Sequence, residues 1–181
     1  MAFFFIIAAV ILRLVPHLPN FAPIAAMALF GGTYLNKKFA LIVPVAAMLV
    51  SDYFIGFYNH WVMASVYGSF LIIGLLGWWL KKNKSVANVI GASLFGSIIF
   101  FLVTNFAVWV VPGSMYPHAW QGLISCYIMG LPFFRNTLMG DLFYVAMMFG
   151  LYELVLWVTI KRRLTPAKAG SPGPRPQRGR A

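Results

Sequence analysis

Apolar residues along this chain form runs too long for the core of a soluble domain, and short polar gaps separate the runs. The runs predict six helices, at about 2–15, 21–35, 39–56, 61–80, 87–111 and 136–160. The last four are near the roughly 20 residues that a bilayer span requires. The first two are shorter, and about 14–15 residues at ~1.5 Å each reach only about 21 Å. Such segments cross where the protein thins the bilayer, lean on longer neighbours, or, for the first, continue from a start upstream of Met1.

Between 112 and 135 the pattern is broken by Pro112, Gly113, Pro117, Gly122, Gly130 and Pro132. A re-entrant or surface element is expected there, before the last helix, with its backbone covered by protein or lining a wet cavity. After the last run the sequence turns to Pro, Gly, Arg and Ala without apolar periodicity. The expected organisation is a six-helix transmembrane domain over 1–162 and a disordered basic tail over 163–181.

The polar gaps set the orientation. Lys37 and Lys38 fill one gap, Lys81, Lys82 and Lys84 another, and the last run leads into Lys161, Arg162 and Arg163. Placing all three groups in the cytoplasm satisfies the positive-inside rule. The expectation is an all-α membrane protein, a bundle of six transmembrane helices with both termini cytoplasmic, multi-pass in a bacterial inner membrane. Ala2 to Leu12 has no basic region before it and no small-x-small site after it, so the first run is expected to stay in the mature protein.

Composition sharpens this picture. Of 181 residues, 61% are hydrophobic and 9% charged, against about 25% charged in an ordinary soluble domain. Net charge is +11, from 14 Lys and Arg against Asp52, Asp141 and Glu153. A balance this basic can mark a nucleic-acid binder. Here the cations lie in loops and a tail, which suits anionic lipid, so no nucleic-acid partner is expected. The lone cysteine, Cys126, excludes an intramolecular disulfide and reads as a small buried apolar residue.

Under this topology the polar residues cluster at the outer end. Arg13, His17 and Asn20 follow the first run, and Ser51 and Asp52 end the third. Thr104, Asn105 and Trp109 lie in the outer half of the fifth, and Arg135, Asn136, Thr137 and Asp141 open the sixth. Ionisable groups inside a bilayer are expensive and raise a functional question. Asp52 and Asp141 can pair with Arg13 and Arg135 to pin helices together. Alternatively, Arg13, His17, Asn20, Asp52, Asn105, Trp109, Arg135, Asn136 and Asp141 line a substrate-binding pocket, with apolar walls and a few convergent polar groups. Glu153, eight residues before Lys161, is expected to face another helix or the lysine loops.

Other chemistry is thinly supported. His17, His60 and His118 come from three outer loops and could hold a metal. They share no close spacing, and interfacial histidines are the alternative. No histidine lies in mid-span to ligate haem, and no cofactor is expected. There is no H-E-x-x-H, G-x-S-x-G or Walker A, so an enzyme and a self-contained ATP-driven pump are not expected. Two carboxylates could do acid–base work only if close together with separated pKa values. Gly31-Gly32 reads as a helix terminus. Small residues four apart (Ala22/Ala26, Ala28/Gly32, Ala47/Ser51, Ala92/Gly96, Ser93/Ser97) predict close helix packing within the bundle or a docking face for another membrane protein.

The blocks Pro19-Asn20-Phe21-Ala22-Pro23, Leu29-Phe30-Gly31-Gly32, Ser51-Asp52-Tyr53-Phe54-Ile55-Gly56, Thr104-Asn105-Phe106-Ala107-Val108-Trp109 and Pro132 to Asp141 resemble an uncharacterised bacterial membrane family designated as transport proteins, over roughly residues 10–150. That family carries no established substrate or site residue. More distantly, the layout is similar to the substrate-binding S components of energy-coupling-factor transporters. This likeness implies a solute site under the outer loops, a membrane coupling subunit and cytoplasmic ATPases as partners. S components often carry an Ala-xxx-Ala motif on the first helix; here that run offers Ala8-Ala9, and Ala22/Ala26 stand on the second. The sequence thus supports a small-molecule transport protein, binding a vitamin-like or other small solute. The alternative is a non-transport scaffold or assembly factor whose polar residues only pin helices.

Overall fold

The computed structural model describes residues 1–16 and 18–164. His17 and residues 165–181, most of the expected tail, lie outside the described residues. Among the described residues there is no strand. The helices are α1 (Ala2–Leu14), α2 (Ile24–Tyr34), the single turn α3 (Lys37–Ala40), α4 (Ile42–Ile55), α5 (His60–Lys82), α6 (Val86–Val110) and α7 (Trp120–Leu164).

Local sequence accounts for several boundaries. The Asn59 side chain accepts from the backbone N–H groups of Trp61 (3.0 Å) and Val62 (3.3 Å), capping α5. Ser85 caps α6 by accepting from Asn88 N at 3.1 Å. α4 ends at Gly56, whose φ of 107° is open to glycine and strained for other residues.

Two expectations are corrected. The break expected over 112–135 is confined to residues 111–119. α7 then runs unbroken for 45 residues, with Pro132 inside it. Proline removes one backbone donor, but neighbouring helices and local adjustment make this tolerable in apolar helices. Gly122 and Gly130 do not break the helix either. A Cβ at Gly130 would overlap the Asn105 amide oxygen, and one at Gly122 the Pro117 carbonyl, so these glycines admit close neighbours. Likewise, Gly31-Gly32 lies within the last turn of α2 rather than capping it. A Cβ at Gly32 would overlap the Gly74 carbonyl oxygen, and one at Gly31 would come within 2.7 Å of Pro44 Cγ.

α2 is the centre of the bundle. Every residue from Ala25 to Thr33 is buried, as befits a helix apolar on all sides. Gly32 meets Gly74 and Gly77, so the α2 and α5 backbones touch. The two helices run parallel, since Thr33 Oγ1 donates to Gly77 O (3.2 Å) and Lys81 Nζ to Leu35 O (3.0 Å). α6 and α7 run antiparallel: Tyr127 donates to Leu102 O (2.7 Å), Ser97 to Asp141 (2.6 Å), and Lys84 pairs with Glu153.

α5, α6 and α7 are long and apolar enough to cross a membrane, whereas α1, α2 and α4 are shorter apolar helices. The long helices leave large apolar side chains outside the bundle, among them Leu75, Trp79, Ile98, Leu102, Phe143 and Leu154. That surface suits lipid rather than water.

Candidate functional site

The bundle has two polar ends of different character. At one, α1 and α4 bring their last turns together. Arg13 Nη2 bonds Asp52 Oδ1 at 2.6 Å, while its Nη1 donates to the Ser51 hydroxyl and to Met48 O (3.3 Å). Tyr67, one helix over on α5, donates to the other Asp52 oxygen at 2.6 Å. Asp52 is 1% exposed. Its charge is matched by a cation and both its oxygens are bonded, the condition under which a buried carboxylate is tolerated. The expected Arg13–Asp52 pair is therefore present, and it ties α1, α4 and α5 together.

Next to it lies a cavity of about 210 Å³, lined by Arg13, Asn20, Thr137 and Asp141 with Ala22, Ile24, Ala25, Ile55, Phe70 and Phe100. Residues from α1, the α1–α2 connection, α2, α4, α5, α6 and α7 meet here. Asp141 is 3% exposed. Its Oδ2 accepts from Ser97 at 2.6 Å, and among the described residues it has no other hydrogen-bond or ion-pair partner. Asn136 Nδ2 donates to Pro19 O at 3.0 Å, fixing the connection that carries Asn20 against α7.

Of the residues expected to form the site, Arg13, Asn20 and Asp141 line the cavity, Asp52 stands behind Arg13, and Asn136 holds a neighbouring loop. His17 lies outside the described residues. Arg135 does not join the site: it is exposed and makes no ion pair among the described residues, so the expected pairing with Asp141 is replaced by Ser97. Asn105 bonds Phe101 O (2.8 Å) within its own helix and packs on Gly130. Trp109 bonds Pro117 O (3.0 Å), fastening the turn before α7. Among the described residues no group of three or more His, Cys, Asp and Glu is placed to hold a metal; His60 starts α5 and His118 precedes α7. Cys126 is buried and donates to Asn105 O at 3.3 Å.

The site also contains residues that sequence reasoning did not assign to it: Tyr67, Phe70, Ser97, Phe100 and Thr137. Ser97 carried a signal as half of a small-residue pair, and Thr137 as one of the polar residues that open the last run. Tyr67, Phe70 and Phe100 carried none, being ordinary members of apolar runs.

At the opposite end Glu153 bonds both Lys84 and Tyr34, the latter at 2.5 Å. It thus meets the lysine loop and a second helix, as expected. A larger groove of about 460 Å³ runs between α6 and α7 beside this cluster. Its walls are apolar and its charged groups satisfy each other.

The fold and site define an all-helical protein with three bilayer-length apolar helices and a small polar pocket at one end of the bundle. The chain belongs to a family of unknown function (DUF6580), which matches it over residues 1–166. No curated protein and no solved structure matches it.

Proposed function

We propose that this protein is a multi-pass inner-membrane protein that binds a small polar solute in the Arg13–Asp141 cavity for transport. Asp141 carries the reading: a carboxyl group almost fully buried, in a cavity, with one hydroxyl as its partner among the described residues. Structure-stabilising carboxylates are paired, as Asp52 is; one left open to a cavity is a recognition group in waiting. In this reading the Lys81–Lys84 end faces the cytoplasm, the cavity end faces outward, six segments cross, and both termini are cytoplasmic. α1, α2 and α4 are short, and α2 is surrounded by protein, so it needs no full hydrophobic length of its own. A coupling subunit with ATPases, as the S-component likeness implies, is part of the proposal and rests on helix number and layout.

The scaffold reading draws on the Arg13–Asp52–Tyr67 cluster, whose satisfied bonds need no ligand. A thermal-shift screen of polar solutes on the purified chain separates the two. A ligand at ~100 times its Kd stabilises by about 2.7 kcal/mol. Solute binding predicts that one class raises the melting temperature, and that Thr137→Val or Asn20→Ala reduces the rise. No stabilisation by any solute, together with a stable co-purifying membrane protein, would favour the scaffold.

A further inference from the structure

We infer that the cavity takes a small organic ammonium ion, with its positive nitrogen seated on Asp141. This rests on the solute-binding reading above and names the class of solute. Arg13 lines the cavity, but its guanidinium is engaged by Asp52, Ser51 and the Met48 carbonyl. Asp52 in turn is closed off by Tyr67. That pair is neutral as a unit. Among the described residues Asp141 is then the carboxyl group on the cavity wall with no cationic partner, and a cation seated beside it would favour its ionised form.

The rest of the lining fits the same solute. Thr137 spends its hydroxyl proton on Phe133 O at 3.0 Å, which leaves its oxygen to accept from an ammonium. Phe70 and Phe100 stack with centroids 5.2 Å apart on the cavity wall, offering faces to a cation or to an aromatic ring. A volume of about 210 Å³ exceeds the roughly 150 Å³ that accommodates benzene, which leaves room for one ring and a short arm. A divalent metal is usually held by clustered His, Cys or carboxylate groups, and among the described residues no three such groups come together. An anion would face Asp141 with the nearby arginine already committed.

The test uses the full chain in phosphatidylcholine nanodiscs, with empty nanodiscs as the blank. Benzylamine, benzyl alcohol and benzoate share a ring and differ in charge. Calorimetry is expected to show benzylamine binding at least about tenfold tighter than the other two. Asp141→Asn, which keeps an acceptor for Ser97, is expected to lose at least about tenfold in benzylamine affinity; Gly91→Ala, on α6 outside the cavity lining, is expected to retain it. Should Asp141→Asn fail to fold, the ranking of the three probes on the unaltered protein still decides. Benzoate or benzyl alcohol binding as tightly as benzylamine would overturn the ammonium assignment and leave the solute pocket standing. Stabilisation by sodium chloride with no response to benzylamine would overturn it in favour of an inorganic cation. If no solute of any class binds, both the assignment and the reading beneath it fall.

Discussion

Asp52 and Asp141 are both buried acids near one end of the bundle, yet their surroundings give them opposite roles. Asp52 is matched by Arg13 and Tyr67, so removing a partner leaves an uncompensated charge. Arg13→Ala is therefore expected to destabilise the folded protein by about 3–5 kcal/mol, and Tyr67→Phe by about 1–3 kcal/mol. Thermal denaturation in detergent measures both; equal and negligible effects would show that the cluster is not structural. The Arg13–Asp52 pair was legible in the sequence because so few ionisable residues exist to pair. Arg135–Asp141 was not a pair for a simple geometric reason. Six residues apart on the continuous α7, at about 100° per residue, the two side chains leave the helix on different faces. That followed only once 136 was known to be mid-helix rather than a helix start.

At the scale of elements, the apolar runs marked the helices well, and the errors lie where glycine and proline were read by the rules of water. In water, Pro132 and the glycines around it end a helix; between apolar neighbours they let one helix approach another. α2 and α5 show the same effect, since their contact is backbone on backbone at Gly32, Gly74 and Gly77. Gly77→Ala is expected to cost about 1–3 kcal/mol or more, because its Cβ would meet Gly32 Cα at 2.8 Å with no side chain to move aside. Gly91→Ala, on α6 with nothing within 4 Å, is the matched control and is expected to leave the melting temperature unchanged or slightly raised. A large loss at Gly91 as well would mean that the close backbone contact at Gly77 does not set the response, since helix propensity favours alanine at both positions. The four-residue spacing of Ala28 and Gly32 announced a close contact; that its partner is α5 within the same chain was not in the spacing.

Across the whole molecule, charge separates the two ends. The end with Lys81 and Lys84 holds its acid, Glu153, in an exposed pair with Lys84. Glu153→Gln is expected to change stability by less than about 1 kcal/mol, as exposed pairs do, and denaturation compared with Arg13→Ala would show the contrast. The other end holds the cavity. The lysines announced this polarity in the sequence, but the cavity itself did not show there, because six of its ten lining residues are phenylalanine, alanine and isoleucine indistinguishable from lipid-facing neighbours. Capture of a solute from outside requires that the cavity end face outward and the lysine end inward. The most direct measurement is labelling by a membrane-impermeant maleimide in right-side-out vesicles. Single cysteines would be placed at Asn20 and Asn83 in a Cys126→Ala background. Asn20→Cys is expected to label in sealed vesicles and Asn83→Cys only after permeabilisation. The reverse pattern would contradict an outward-facing cavity.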